Sequence, residues 1–552
     1  LNGAKCLRTF LSISINHWFE RFYISKKFLH DLLPSLKRLR VLSLSRYKNV
    51  AEVPDSVGNL IHLRYLDLSK TAIVNLPGAV CTLYNLQTLL LSDCHNRIEL
   101  PADMRKLINL RTLTLAGCYC LTKLPADMRE LSSLHYLDVS GTKIEGMPVE
   151  IGRLKSLRTL TDFVVGKYTG SSIGELRELQ HLQGRLRISN LQNVVDAVDA
   201  LEANLKNKKE LNDLELAWGD EDADDSQKER DVLDKLQPSA NLEKLTIRFY
   251  GGTSFPNWLG SSNSFSNIQF MCISDCKYCL SLPSFGQLPT LKELRVERMK
   301  FVRTVGVEFY GDLNGASVIQ PFRSLKTLEF EEMPGWEDWL PSPSGGQCSD
   351  FPCLQKMIIR NCPKLRGYLP NRLPCLKTLS VFRCGYLRLH DEWASSSSGL
   401  NMDYLYIDGC PGLLPLIERV EKFLSTLVIS NFDAIQCLPK MKYLRRLVFW
   451  ECPTVSSLEF LSHEMMAELT SLEHLEIWNS FHSVRSFPLG VFPKLSTLEI
   501  DGCENLESFS IEGVDQNLSH LNSLRIIGCS NLASFPDGGL PTLTALEQLV
   551  LY

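Results

Sequence analysis

Nucleophilic, metal-binding or acid–base chemistry needs Cys, His, Asp or Glu side chains in a fixed mutual relation, and this chain has 18 cysteines and 11 histidines to offer. Nine of the cysteines (Cys94, Cys118, Cys276, Cys362, Cys384, Cys410, Cys452, Cys503 and Cys529) fall in one kind of place, three residues after the last apolar position of a short hydrophobic phrase. Tetrahedral zinc wants paired ligands at matched spacing, and neither Cys118-x-Cys120 nor Cys276-x2-Cys279 has a second pair to match it. A thiol recurring in one slot packs as a small hydrophobe and can bond the loop backbone next to it. The cysteines therefore read as structural and reduced, which fits a reducing compartment. His62, His135 and His474 lie on or just before the hydrophobic phrases, as surface or satisfied polar residues. Asp220, Asp222 and Asp224 imitate the first positions of a calcium loop, but Asp225 stands where the sharp turn needs Gly and Asp231 where a bidentate Glu is needed. That stretch reads as a solvated loop. No phosphate-binding Gly-x4-Gly-Lys-Ser/Thr, Gly-x-Ser-x-Gly or His-Glu-x-x-His occurs. Adjacent carboxylates such as Glu331-Glu332 give no support for paired acid–base work. No catalytic, cofactor-binding or metal residues are assigned, and the expectation is a protein that is not an enzyme.

The elements that carry these side chains are set by a repeated phrase, Leu-x-x-Leu-x-Leu, followed about ten residues later by an apolar residue and Pro. Its central leucines stand at Leu42, Leu66, Leu89, Leu113, Leu137 and Leu160, so the step is 23 or 24 residues. The trailing pairs are Val53-Pro54, Leu76-Pro77, Leu100-Pro101, Leu124-Pro125 and Met147-Pro148. A period of this length with this spacing marks a leucine-rich repeat. Further strands are expected around Leu186, Leu214, Leu245, Met271, Leu294, Leu328, Met357, Leu379, Leu405, Leu427, Leu447, Leu475, Leu498, Leu524 and Leu549. The expected fold is an α/β solenoid, a horseshoe of about 21 repeats with a parallel sheet on its concave face and mostly irregular loops and short helices on its convex face. Residues 1–165 hold the regular repeats, and 166–552 hold irregular ones continuous with them. Two insertions stand out: a helical stretch near 193–208, with Asn193 as its cap and Val194, Val198, Leu201 and Leu205 at helical spacing, and an acidic loop near 219–231. Ser342–Gly346 and Ser395–Ser398 read as loops.

Composition narrows the partners. A net charge of −4 over 552 residues gives no general case for nucleic acid. No run of 18 uncharged apolar residues exists to span a membrane. One glycosylation sequon occurs, at Asn517-Leu518-Ser519. The chain starts at Leu1 inside a repeat-like phrase (Leu7, Phe10, Leu11, Ile13), so it reads as a piece of something longer.

What the repeat offers is a surface. Period-two alternation sends the leucines inward and the intervening residues onto the open sheet face. In the early repeats those slots hold Arg40, Ser43, Arg64, Tyr65, Asp67, Arg111, Thr112, His135 and Tyr136, with Arg46 and Lys70 just beyond. In the later ones they hold Phe270, Arg295, Glu329, Arg360, Phe382, Arg383, Tyr406, Asp408, Arg446, Trp450, Glu476, Trp478 and Arg525. Large aromatics beside Arg are the side chains that anchor protein interfaces; the plainer alternative is rings stacking on each other across strands.

Several phrases are more specific than the repeat itself. They are Leu157-Arg158-Thr159-Leu160-Thr161-Asp162-Phe163-Val164-Val165-Gly166, Leu186-Arg187-Ile188 with Leu191-Gln192-Asn193-Val194, Gly286-Gln287-Leu288-Pro289 with Val305 to Gly311, Leu328 to Met333 with Trp336 and Trp339, and Phe351-Pro352 with Cys362-Pro363-Lys364-Leu365. Across nearly the whole chain these resemble the repeat region of plant coiled-coil nucleotide-binding leucine-rich-repeat (NB-LRR) disease-resistance proteins. The resemblance implies a cytoplasmic immune receptor whose repeats sense a pathogen effector or a guarded host protein. It also implies that they restrain a nucleotide switch module, absent from this sequence, where ATP or ADP would bind. It gives Arg40, Arg46, Arg64 and Lys70 an intramolecular contact with that module, and Phe382, Arg383, Tyr406, Arg446, Trp450 and Trp478 a role in binding the effector. The alternative is a cytosolic leucine-rich-repeat scaffold or adaptor without an immune role. An extracellular receptor would carry several glycans and Leu-x-Gly-x-Ile-Pro phrases, where this chain has bare Leu-Pro phrases and one sequon.

Overall fold

Alternating apolar residues in phrases of equal spacing stack their strands in parallel, since every repeat enters the sheet in the same direction. A computed structural model of the chain describes residues 6–12, 23–25, 27–96, 99–167, 171–220, 225–311, 320–342, 349–370, 372–390, 401–432, 438–439, 441–452, 469–482, 484–510, 520–533 and 543–552. Residues 221–224, 343–346 and 395–398 and the sequon at 517–519 lie outside this set. Contacts divide the chain into two compact units, Leu1–Gln269 and Phe270–Tyr552.

In the first unit a seven-stranded parallel sheet runs from Thr9–Phe10 through Val41–Ser43, Tyr65–Asp67, Thr88–Leu90, Thr112–Thr114 and Tyr136–Asp138 to Thr159–Leu160. Leu42, Leu66, Leu89, Leu113, Leu137 and Leu160 face one another in register and are fully buried. After each Leu-Pro phrase the chain turns into a short 3-10 helix, as at Asp55–Asn59, Gly78–Thr82 and Ala126–Glu130. The proline before each of these fixes an extended entry into the turn. The ladder is interrupted at Thr161. Where Leu115 N–H donates to the backbone oxygen of Asp138 at 2.7 Å, Val139 N–H donates instead to the Thr161 hydroxyl at 3.0 Å. Strands Asp162–Val164, Gly184–Ser189, Leu211–Ala217 and Lys244–Arg248 follow, with Leu186, Leu214 and Leu245 in register.

The two insertions differ from expectation. The helix in the first is only Ala197–Glu202, and its cap is Asp196, whose carboxylate accepts from Val198 N–H and Asp199 N–H at 2.9 Å each. Asn193 is occupied elsewhere, donating to the Val165 carbonyl at 2.9 Å. Of the expected apolar face Val194 and Leu205 are buried, but Val198 and Leu201 point outward, and Ala200 and Ala203 fill the core in their place. Small residues there let the short helix lie close, which apolar spacing alone does not reveal. The second stretch is not loop throughout. Asp225 caps a helix over Ser226–Lys235 by accepting from Gln227 N–H and Lys228 N–H at 3.0 Å. That helix buries Val232 and Leu233, and its buried Glu229 accepts from Gly251 N–H at 2.6 Å.

The second unit repeats the strand plan from Phe270–Ser274 to Gln548–Leu551. Met271, Leu294, Leu328, Met357, Leu379, Leu405, Leu427, Leu447, Leu475, Leu498, Leu524 and Leu549 form one continuous register. Each unit is thus a leucine-rich-repeat solenoid. The long step from Leu294 to Leu328 is filled by rings. Phe309, Phe322, Phe330, Trp336, Trp339, Phe351 and Tyr310 pack at centroid distances from 4.7 to 6.3 Å, and Trp339 Nε1 donates to the Tyr310 hydroxyl at 3.0 Å. Trp336 is fully buried at one end of the cluster, against Phe330 and Trp339. Trp336→Ala should cost about 3–5 kcal/mol, read as a lowered urea midpoint; a loss below about 1 kcal/mol would show that the rings do not hold this repeat.

Candidate recognition face

In-register stacking places equivalent residues of successive repeats in columns about 4.8 Å apart, so the chemistry of the open face is read column by column. In the first unit, one column is Arg8, Arg40, Arg64, Gln87, Arg111, His135 and Arg158, each N–H donating to the carbonyl of the residue before it at 2.8–2.9 Å. The five arginines are exposed. Among the described residues none of them has a side-chain hydrogen bond or ion pair. Two acids beside this column are engaged by hydroxyls. Asp67 accepts from Ser43 Oγ at 3.0 Å, and Asp138 accepts from Thr161 Oγ1 at 3.1 Å. Burial, then Asp67 and Asp138, push the Tyr65 and Tyr136 phenols above their usual range.

Arg46 and Lys70 do not join Arg40 and Arg64. They occupy a left-handed turn at φ 69° and 60°, in a column with Asp93, Gly117 and Gly141. Their N–H groups donate to Ser69 and Ser92 of the next repeat at 2.9 and 2.8 Å. Arg46 follows Arg40 past the strand Val41–Ser43 and into the turn, as Lys70 follows Arg64 past Tyr65–Asp67. Lys70 also lies 3.7 Å from Asp93. The expected basic group is two pairs at opposite edges of the strands.

In the second unit, the column at the strand ends reads Arg360, Phe382, Asp408, Ser430, Trp450 and Trp478. Phe382 and Tyr406 lie with ring centroids 6.1 Å apart. Arg383, in the adjoining left-handed turn, holds its guanidinium 4.9 Å over the Phe382 ring. Trp450 is 50% exposed and stands directly opposite Trp478. Arg446 lies at the other end of its strand and is ion-paired with Glu476 at 2.7 Å. Burial, then Asp408 and Tyr404, push the Tyr406 phenol up to about 12. The middle column holds Ile358 and Val448, apolar, outward and only 4% and 6% exposed. Sequence reasoning passed over both, although Lys356–Arg360 and Arg446–Trp450 each carry apolar residues at three consecutive positions. Asp408, expected on the exposed face, is 1% exposed. Glu329 lies between Arg295 at 3.4 Å and Arg360 at 3.7 Å, so the basic residues of this face are largely paired.

Among the described residues no group of three His, Cys, Asp or Glu is placed to hold a metal ion. The thiols of the recurring slot are unpaired with one another covalently and, Cys529 apart, buried. Cys94 and Cys118 donate to the Leu68 and Leu91 carbonyls of the preceding repeat at 3.3 and 3.1 Å. The hydrogen bond to Cys384, then burial, pushes the Cys362 and Cys410 thiols up.

A parallel ladder with one open face and recurring buried turns defines a leucine-rich-repeat protein. The family described as R13L1/DRL21 LRRs matches residues 173–299, and that described as Leucine-rich repeat region matches residues 22–118. The chain is 40% identical over 80% of its length to disease resistance RPP13-like protein 1 of Arabidopsis thaliana, covering 43% of that protein. A second Arabidopsis thaliana disease-resistance protein is 41% identical over 69% of this chain and 25% of its own. Disease resistance protein RGA1 of Solanum bulbocastanum is 37% identical over 64% of this chain and 32% of its own. The chain belongs with the leucine-rich-repeat regions of plant NB-LRR disease-resistance proteins, and it spans less than half the length of these relatives. No helix among the described residues is long and apolar enough to cross a membrane.

Thiol labelling of the native chain should be fast at exposed Cys6, Cys120, Cys353 and Cys375 and slow at the buried slot cysteines until denaturant is added. Mass-spectrometric mapping that finds Cys384 labelled as fast as Cys375 would contradict the buried-slot assignment.

Proposed function

We propose that this chain is the recognition region of a cytoplasmic plant immune receptor, binding a pathogen effector or a modified host protein and restraining a nucleotide switch module elsewhere in the full-length protein. The observation that carries this reading is the second unit's open face, where half-exposed Trp450 stands opposite Trp478 within the column that also holds Phe382. Rings of this size left accessible on a rigid sheet bind protein partners with little ordering cost. The names of the relatives supply the immune context. Unpaired arginines in the first unit suit an acidic surface, and they give Arg40 and Arg64 the contact with the switch module. Arg46 and Lys70, on the far edge of the strands, act there only where that module wraps around the turn. Nucleotide belongs to the switch module, and recognition rather than catalysis belongs to this chain. The buried, reduced thiols suit the cytoplasm.

Charge reversal at Arg40 and Arg64 together should weaken association with the separately expressed switch module about 10-fold or more at low salt, and less at high salt. Reversal at Arg46 and Lys70 should have the smaller effect. Unchanged binding in Arg40→Glu/Arg64→Glu, measured by titration, refutes the contact.

Trp450→Ala with Trp478→Ala should reduce capture of the recognised protein from infected tissue by about 30-fold or more while leaving the circular dichroism spectrum unchanged. Full capture by the folded double variant refutes this face as the binding surface.

A further inference from the structure

Asp408 ends the strand Tyr404–Asp408 with its side chain on the open-face side, yet it is 1% exposed. Its Oδ2 accepts from Asn431 Nδ2 at 2.9 Å, and the same nitrogen reaches Ser430 Oγ at 3.3 Å. Its Oδ1 is buried with no hydrogen-bond donor among the described residues. A buried carboxylate oxygen without a donor is costly, and native structures leave few of them. The surroundings show what could supply one. Along the column Asp408 and Ser430 are two short polar residues between two large rings, Phe382 on one side and Trp450 on the other. Three ladder steps, about 14 Å between backbones, separate the two rings, and Asp408 and Ser430 between them are 1% and 2% exposed. The Phe382 ring already holds a cation, the Arg383 guanidinium at 4.9 Å, which is exposed and has no acidic partner among the described residues.

We propose that Asp408 is the anchor for a basic side chain, arginine or lysine, presented by the protein partner and flanked by Phe382 and Trp450. This rests on reading the second unit's face as the partner-binding surface. A cationic head meets every requirement at once. Its N–H supplies the missing donor, its charge neutralises the carboxylate, and its flat or alkyl surface packs on the aromatic faces. A neutral donor leaves the charge unpaired, and an acidic or apolar group leaves Oδ1 as it is. Because Asp408 is 1% exposed, a partner reaches Oδ1 only when the side chains around it part, Asn431 on Oδ2 among them.

The test is selection of a random 12-residue peptide display library on the full chain, in parallel with Asp408→Asn, Arg383→Met and Trp450→Ala. Asp408→Asn keeps an oxygen for Asn431, and an unchanged unfolding midpoint checks its fold. Peptides selected by the natural chain should share an Arg or Lys at a fixed position and bind Asp408→Asn about 10-fold more weakly or worse. They should bind Arg383→Met at least as well, since a competing cation is gone. Replacing the selected basic residue by citrulline or norleucine, with no change to the protein, should lose binding to the same extent. Peptides without a basic position, or basic peptides that bind Asp408→Asn equally, overturn the assignment while the binding face stands. Peptides indifferent to Trp450→Ala overturn the binding face itself and the assignment with it.

Discussion

Each inward row of this protein is buried only by the equivalent row of the next repeat. Leu42 meets Leu66 and Leu66 meets Leu89, so no repeat closes a core alone and stability is shared between neighbours. The same constraint fixes the outward rows. Because the register is maintained, a residue's lateral neighbours on the open face are its counterparts in adjacent repeats, and surface chemistry comes in columns rather than in patches set by folding back of distant segments.

The turn that ends each strand follows from the same stacking. Its first residue is left-handed in repeat after repeat, including Asp275, Arg298, Asn361, Arg383, Asn431 and Asn479. This conformation costs a residue with a side chain on the order of 1 kcal/mol. It persists because the N–H there donates to the following repeat, as Asn361 does to Phe382 and Arg383 to Asp408 at 2.9 and 3.0 Å. Directly behind lies the thiol slot. Cys94, Cys118 and Cys503 donate to carbonyls of the preceding repeat at 3.0–3.3 Å, so the turn is tied in both directions. The recurrence of cysteine reflects a small hole with a carbonyl at its rim, a packing role rather than a reactive one.

The two faces differ in how their charges are spent. The first unit's early repeats leave an arginine column without acidic partners among the described residues, while Asp67 and Asp138 bond hydroxyls; its last strands pair Arg185, Arg187 and Arg248 with Glu215. The second unit pairs Arg295 and Arg360 with Glu329 and Arg446 with Glu476, leaving aromatic area as its accessible feature. Paired charges favour register and solubility more than affinity; unpaired arginines and half-exposed rings are what a partner can use.

Much of this was legible in the chain itself. The strand-centre leucines, the thiol slot and the parallel sheet were readable because a period of 23 or 24 residues with inward leucines has one economical packing. The irregular half was readable for its strands but not for its insertions, where local capping by Asp196 and Asp225 and close approach at Ala200 and Ala203 overrode apolar spacing. The site was legible by residue type and parity and misread in grouping. Spacing along the chain put Arg46 beside Arg40 and left Asp408 exposed. The tertiary structure decided that the turn carries Arg46 to the opposite edge, that Arg446 is neutralised by Glu476, and that the neighbouring repeats cover Asp408. One-dimensional order determines which side a residue faces, through the two-residue alternation of a strand; what lies over and beside it is set by the repeats before and after, which only the stacked structure brings together.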